Sequence, residues 1–131
     1  MTDRPAAPNV LAITFLYYKD LPRAFVFYRD VMGFPLAIDQ GDLAKIVRIA
    51  PNAHLGLVDE ARGINRWQAE KCVQICIRVE DLEGWHAYLA GHEVDDLSQI
   101  FTNDRIGIRA FVLRDPEGYQ IEIQQSTRPD A

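Results

Sequence analysis

The side chains able to do chemistry cluster in two β-prone runs of the second half of the chain. In Val73-Gln-Ile-Cys-Ile-Arg-Val79, apolar and polar residues alternate. Successive strand side chains point to opposite faces, so Gln74, Cys76 and Arg78 share one face and Val73, Ile75, Ile77 and Val79 the other. Tyr119-Gln-Ile-Glu-Ile-Gln124 repeats the pattern, setting Gln120, Glu122 and Gln124 against Tyr119, Ile121 and Ile123. If this polar face lines a cavity rather than meeting solvent, a carboxylate on it is partly desolvated, which raises its pKa. Glu122 is therefore the candidate catalytic base, suited to taking a proton next to a carbonyl. Arg78 and Arg109 are the cations available to hold a substrate anion or an enolate-like charge. Gly107 permits a bulge at the start of the Arg109 run, which leaves that arginine's face open. The competing reading makes Glu122 one half of an internal ion pair with no chemical role, and the polar faces simply solvent-facing.

The first half offers a different surface. In its β-prone run the face in register with Gln74 carries Ile13, Phe15 and Tyr17, and the stretch matching Glu122 is His54-Leu-Gly56-Leu-Val58. A polar wall of Gln74, Cys76, Arg78, Gln120 and Glu122 would then oppose an aromatic and aliphatic wall containing Phe15 and Tyr17. Such a pair of walls suits a small organic ligand with a carbonyl, carboxylate or hydroxyl group. The two cysteines, Cys72 and Cys76, would lie ~13 Å apart along a strand, beyond the ~7 Å a disulfide spans. They read as ordinary reduced thiols, and their spacing is not that of a redox or zinc motif.

The elements that position these residues form an internal repeat. Ala12–Leu21 and Val73–Leu82 are each a β-prone run closing on Asp-Leu, with the aspartates Asp20 and Asp81 offset by 61 residues. Each aspartate is a good N-cap. Leu21, Ala24, Phe25, Tyr28 and Met32 follow at helical spacing up to Gly33, and Leu82, Trp85, His86 and Leu89 up to Gly91. These apolar stripes make Tyr28 and Trp85 core residues first. Three strand candidates follow each helix: Phe34–Ile38, Leu43–Ile49 and His54–Val58, then Glu93–Leu97, Gly107–Leu113 and Tyr119–Gln124. Asp115-Pro-Glu-Gly118 has the residue order of a type I turn. The fold class is α+β, as two tandem βαβββ modules. Module one covers about 9–58 and module two about 72–125, with a polar linker at about 59–71.

Two stretches resemble a known superfamily. Asp20-Leu-Pro-Arg-Ala-Phe-Val-Phe-Tyr28-Arg-Asp-Val-Met-Gly33 is similar to the "D-L-x-x-x-x-x-F-Y-x-x-x-L-G" stretch of the vicinal oxygen chelate superfamily. Phe111-Val-Leu-Arg-Asp115-Pro-Glu-Gly118-Tyr-Gln-Ile-Glu122 is similar to its "F-x-x-D-P-x-G-x-x-x-E" ending. That superfamily includes glyoxalases, bleomycin-resistance proteins and extradiol dioxygenases. The resemblance implies mixed sheets cupped around a cavity, helices on the outer face, and a homodimer in which halves of different subunits can complete each cavity. Metal-dependent members place ligands at positions that match Ile13, Gln74, Gly56 and Glu122. Of these, Gln74 and Glu122 alone carry donor groups, and His54 is a possible third. A divalent site usually wants at least three protein ligands. The resemblance thus leaves two functions: a glyoxalase-like lyase or isomerase, with or without Zn, Ni, Mn or Fe, or a metal-free, antibiotic-type sequestering protein.

Length and charge bound the rest. With 131 residues the chain is one domain's worth. A net charge of −5 argues against a nucleic-acid partner. Residues 1–66 carry eight Lys/Arg against seven Asp/Glu and residues 67–131 six against twelve, so the acidity is in the second half. No run of ~18 apolar residues exists, so no membrane helix is expected. The first nine residues lack the apolar core of a secretory signal, so the expected location is cytoplasmic.

Overall fold

The computed structural model describes residues 2–6 and 10–130. The chain runs β1 (Ile13–Tyr18), α1 (Leu21–Val26), a π-helical turn (Phe27–Val31), β2 (Leu36–Asp39), β3 (Ala44–Ala50) and β4 (Ala53–Asp59). The pattern then recurs as β5 (Gln74–Arg78), α2 (Leu82–Ala90), β6 (Phe101–Asn103), β7 (Ile108–Arg114) and β8 (Gln120–Ser126). These form two mixed four-stranded sheets, ordered β1-β4-β3-β2 and β5-β8-β7-β6. Module one's expected first residue, Asn9, lies outside the described residues.

The helices start where the aspartates cap them. Asp20 accepts from the Arg23 amide at 3.1 Å and Asp81 from the Gly84 amide at 2.9 Å, which satisfies donors that have no partner within the helix. Beyond Val26 the first helix widens, and the Met32 amide reaches back five residues to the Phe27 carbonyl at 3.0 Å. Phe27, Tyr28 and Met32 are buried, while Phe25 is only partly covered.

One expected strand does not form. Glu93–Leu97 contributes just an isolated bridge between Asp95 and Arg114, and the fourth strand of sheet two is β6 instead. Asp95 and Asp96 are turn formers. Asp96 takes φ 53, in the left-handed region, and this turns the chain before a ladder can extend. Phe101 and Thr102, of better β propensity, pair with Ala110 and Arg109.

The two halves meet at the Asp115–Gly118 turn, closed by the Gly118 amide on the Asp115 carbonyl at 3.1 Å. The Asp115 carboxylate is 1% exposed. It accepts from the hydroxyls of Tyr18 (2.5 Å) and Tyr28 (2.7 Å) and from the amides of Glu117 and Tyr119. Glu117 accepts the amides of Lys19 and Asp20, at the exit of β1. The Tyr119 hydroxyl accepts from the Tyr17 amide and donates to the Tyr17 carbonyl. Burial of these phenols raises the pKa of Tyr18 and Tyr28 well above the usual tyrosine value, and the Asp115 charge adds to the effect.

Candidate ligand cavity

Both modules use the same parallel register, so their inner faces can be compared residue by residue. Ile13 opposes His54, Phe15 opposes Gly56 and Tyr17 opposes Val58. In sheet two, Gln74 opposes Gln120, Cys76 opposes Glu122 and Arg78 opposes Gln124. The strand alternation thus places Gln74, Cys76, Arg78, Gln120 and Glu122 on one wall. Behind them Ile75, Ile121 and Ile123 are buried in the core.

That wall is a ladder of polar cross-strand pairs. Gln74 Nε2 donates to Gln120 Oε1 at 2.7 Å, and Arg78 Nε to Gln124 Oε1 at 2.6 Å. Glu122 Oε2 accepts from Gln124 Nε2 at 2.7 Å and from the Cys76 thiol at 3.6 Å. Burial, and then the Glu122 carboxylate, push the Cys76 thiol up. It stays protonated at neutral pH and is a poor nucleophile, as expected of an ordinary thiol. The carboxylate of Glu122 is held in place by neutral donors from two strands.

Arg109 does not join this wall. It pairs with Gln125 across β7 and β8, in step with Phe111 and Ile123, which are buried on the helix side. Its guanidinium forms an ion pair with Glu83 of α2 and donates to Gln125. Gly107 absorbs the irregularity with φ 69 before β7 begins at Ile108, so Arg109 keeps the outer face.

The wall of sheet one is hydrocarbon. A Cβ built on Gly56 would lie 2.5 Å from Cε1 of Phe15 and nearer still to Cδ1, so the Phe15 ring fills the space a side chain there would need. A Cβ on Gly63 would meet Tyr17 Cε2 and Val58 Cγ1, both at 2.8 Å. Between these elements is a cavity of about 250 Å3 lined by Phe15, Tyr17, Leu43, Ala44, Val58 and Ile64, with Gln40 and Arg62 as polar groups at its edge. Sequence reasoning treated 59–71 as a linker and missed that it builds this cavity. Arg66 Nη1 donates to the carbonyls of Glu60, Gly63 and Asn65, and Asn65 reaches the Tyr17 hydroxyl at 3.4 Å. A glycine flanked by side chains that staple the loop was the available signal.

The donor set does not fit a divalent metal. Ile13 and Gly56 offer no donor atoms, and the Phe15 ring occupies the Gly56 slot. Gln74 is engaged with Gln120. His54 belongs to sheet one, opposite Ile13 and Arg48, and its Nδ1 is buried without a hydrogen-bond partner. Among the described residues, no three of His, Cys, Asp and Glu converge as a metal group would require.

The chain is thus a paired βαβββ unit in which one sheet has a polar face and the other an aromatic and aliphatic one. Residues 10–123 match the profile of the Glyoxalase/Bleomycin resistance protein/Dioxygenase superfamily, and the chain belongs to that superfamily. No curated protein sequence matches it. Among solved structures it is similar to a lactoylglutathione lyase from Agrobacterium tumefaciens (22% identity, TM-score 0.72), covering 92% of this chain and 96% of the other. It is also similar to TnmS3, an antibiotic binding protein from Streptomyces sp. CB03234 (20%, 0.75, covering 93% and 99%). TioX from Micromonospora sp. ML1 is a third (19%, 0.72, covering 90% and 99%). At these identities the likeness shows the fold. No helix among the described residues is long and apolar enough to cross a membrane.

Proposed function

We propose that this protein binds and sequesters a small, partly apolar organic molecule between its two walls, without a resident metal. The observation that carries this reading is the Phe15 ring lying over Gly56, which puts hydrocarbon where the metal-dependent relatives' pattern calls for a ligand. Phe15 and Tyr17 contact the apolar part of the guest, while Gln74, Cys76, Arg78, Gln120 and Glu122 meet its oxygen atoms. The protein acts as a homodimer in the cytoplasm, with sheet one of one copy facing sheet two of the other. Phe15, 46% exposed on the inner face of sheet one, supports this arrangement, and sedimentation equilibrium tests it by returning the mass of two chains.

The experiment for the binding role is a thermal-shift screen of small aromatic and carboxylate compounds, followed by mass spectrometry of each hit after prolonged incubation with the protein. A raised melting temperature with the compound recovered unchanged is expected. Turnover that disappears in Glu122→Gln would replace this reading with the lyase or isomerase one. The orientation of the Glu122 carboxylate by Gln124 and Cys76 favours that second reading. Stoichiometric uptake of Zn²⁺, Ni²⁺, Mn²⁺ or Fe²⁺ would overturn the metal-free part.

A further inference from the structure

We infer that the outer, helix-bearing side of sheet one holds a second binding site, a cleft that takes a free α-amino acid with an apolar side chain. The amino acid binds by exchanging two ion pairs of the cleft for its own two charges. The site is separate from the ligand cavity and stands whether or not the binding role proposed above does. The two lie back to back. Neighbouring residues alternate between them: Leu43, Ala44 and Val58 line the ligand cavity, while Asp42, Lys45 and Asp59 line the cleft. The cleft encloses about 520 Å3, and Pro22, Phe25 and Val26 of α1 form its apolar wall.

Lys45 and Asp59 carry opposite charge into this cleft from adjacent strands. Lys45 opposes Leu57, and Asp59 lies two residues further along β4 on the same face. Such diagonal neighbours are ~7–8 Å apart, so one small molecule can reach both side chains. Each has a partner of the same kind. Lys45 donates to Asp39 at 2.6 Å, and its side chain is 22% exposed against 54% for Asp39. Asp59 accepts from Arg62 at 2.5 Å, and is 17% exposed against 55% for Arg62. The inner member of each pair needs a counter-charge, whereas water serves the outer one. Pairs with an exposed member are worth little. A ligand bearing both charges therefore displaces both outer partners without leaving an inner charge unmet. Lys45 Nζ stands 5.7 Å from the centroid of the Phe25 ring, so a carboxylate on Lys45 brings the ligand's side chain against the apolar wall. Asp42 adds negative charge, which favours a zwitterion over a plain acid. Arg62 alone lines both the cleft and the ligand cavity, so the ammonium that displaces it from Asp59 frees its guanidinium for that cavity.

The test titrates the full-length, isotope-labelled protein while the backbone amide resonances of Gly41, Asp42 and Ala61 are followed. Three probes are compared: L-phenylalanine, phenethylamine, which lacks the carboxylate, and hydrocinnamate, which lacks the ammonium. Phenylalanine is expected to move those amides and to bind about tenfold or more tightly than either fragment, because each fragment leaves one charged hydrogen bond unmade. Arg62→Met removes the competitor for Asp59 and should tighten phenylalanine binding several-fold. A gain of affinity requires a folded variant, and the ranking of the three probes on the unaltered protein decides the matter even if Arg62→Met does not fold. Equal affinities for the three probes would overturn the inference, as would phenylalanine leaving Gly41, Asp42 and Ala61 unmoved. A folded Arg62→Met that binds phenylalanine no more tightly would overturn the exchange at Asp59 and the inference with it. Shifts confined to Phe15 and Tyr17 would put the amino acid in the ligand cavity, which sinks the second site and leaves the binding role standing.

Discussion

The hydroxyl of Tyr28, on the π-helical turn of the first half, donates to Oδ2 of Asp115 in the second half at 2.7 Å. The same oxygen accepts from Tyr18 at 2.5 Å, and the two hydroxyls lie 3.4 Å apart. Asp115 of the D-P-x-G ending thus joins the halves and stands apart from the cavity wall. Tyr28→Phe removes one donor to a buried carboxylate and should cost about 1–3 kcal/mol. Asp115→Ala leaves two buried phenols without their acceptor and should cost more. Urea unfolding measures both, and a Tyr28→Phe value indistinguishable from wild type would show the bond to be idle.

Alkaline stability follows from the same cluster. Burial, and secondarily neighbouring charge, raise the pKa of Tyr18 and Tyr28 in the folded chain. Folding therefore favours the protonated phenols. Their contribution is fully present below the unfolded tyrosine value of about 10 and is lost as pH climbs above it. Unfolding free energy should fall steadily from about pH 10 upward, and the fall should be shallower in Tyr28→Phe. A flat profile there would contradict the assignment.

Gly56 and Phe15 should behave as one unit. Gly56→Ala places a methyl inside the Phe15 ring's space, an overpacking that costs about 1–3 kcal/mol. In a Phe15→Ala background the same substitution should cost little. The double-mutant cycle measures the coupling, and additive costs would mean the ring gives way freely.

Cys76 should alkylate slowly. Its raised pKa keeps the thiolate scarce, so iodoacetamide at pH 8 should modify it more slowly in the folded protein than in the urea-unfolded chain. Glu122→Gln removes a negative charge beside the sulfur and should speed the reaction. An unchanged rate in that variant would show that the carboxylate does not influence the thiol.

Local pattern was enough to read the caps at Asp20 and Asp81, and the alternation of β5 and β8 placed Gln74, Cys76, Arg78, Gln120 and Glu122 together. These features depend on neighbours in the chain or on a period of two. Arg109 was harder because Gly107 makes the phase of its strand ambiguous, and only the register with Gln125 settles it. The repeat predicts a strand over Glu93–Leu97, but the apolar residues Val94 and Leu97 are three apart and Asp96 takes a left-handed conformation. The cavity role of Gly63 and Ile64 and the Asp115 joint were not legible, because they arise from folding a loop back and from partners 87 and 97 residues away.

The joint also shows that the two similar halves are not interchangeable. By strand register, Ile49 stands in module one where Asp115 stands in module two, because Arg48 opposes His54 as Arg114 opposes Gln120. The residues 61 positions after Tyr18 and Tyr28 are Val79 and Leu89. The second half carries the acid and the first the two phenols that meet it. A chain of two first modules would bury phenols with no acceptor, and a chain of two second modules would bury an acid that keeps its own turn amides but lacks both phenol donors. Each half thus supplies what the other's buried polar groups need.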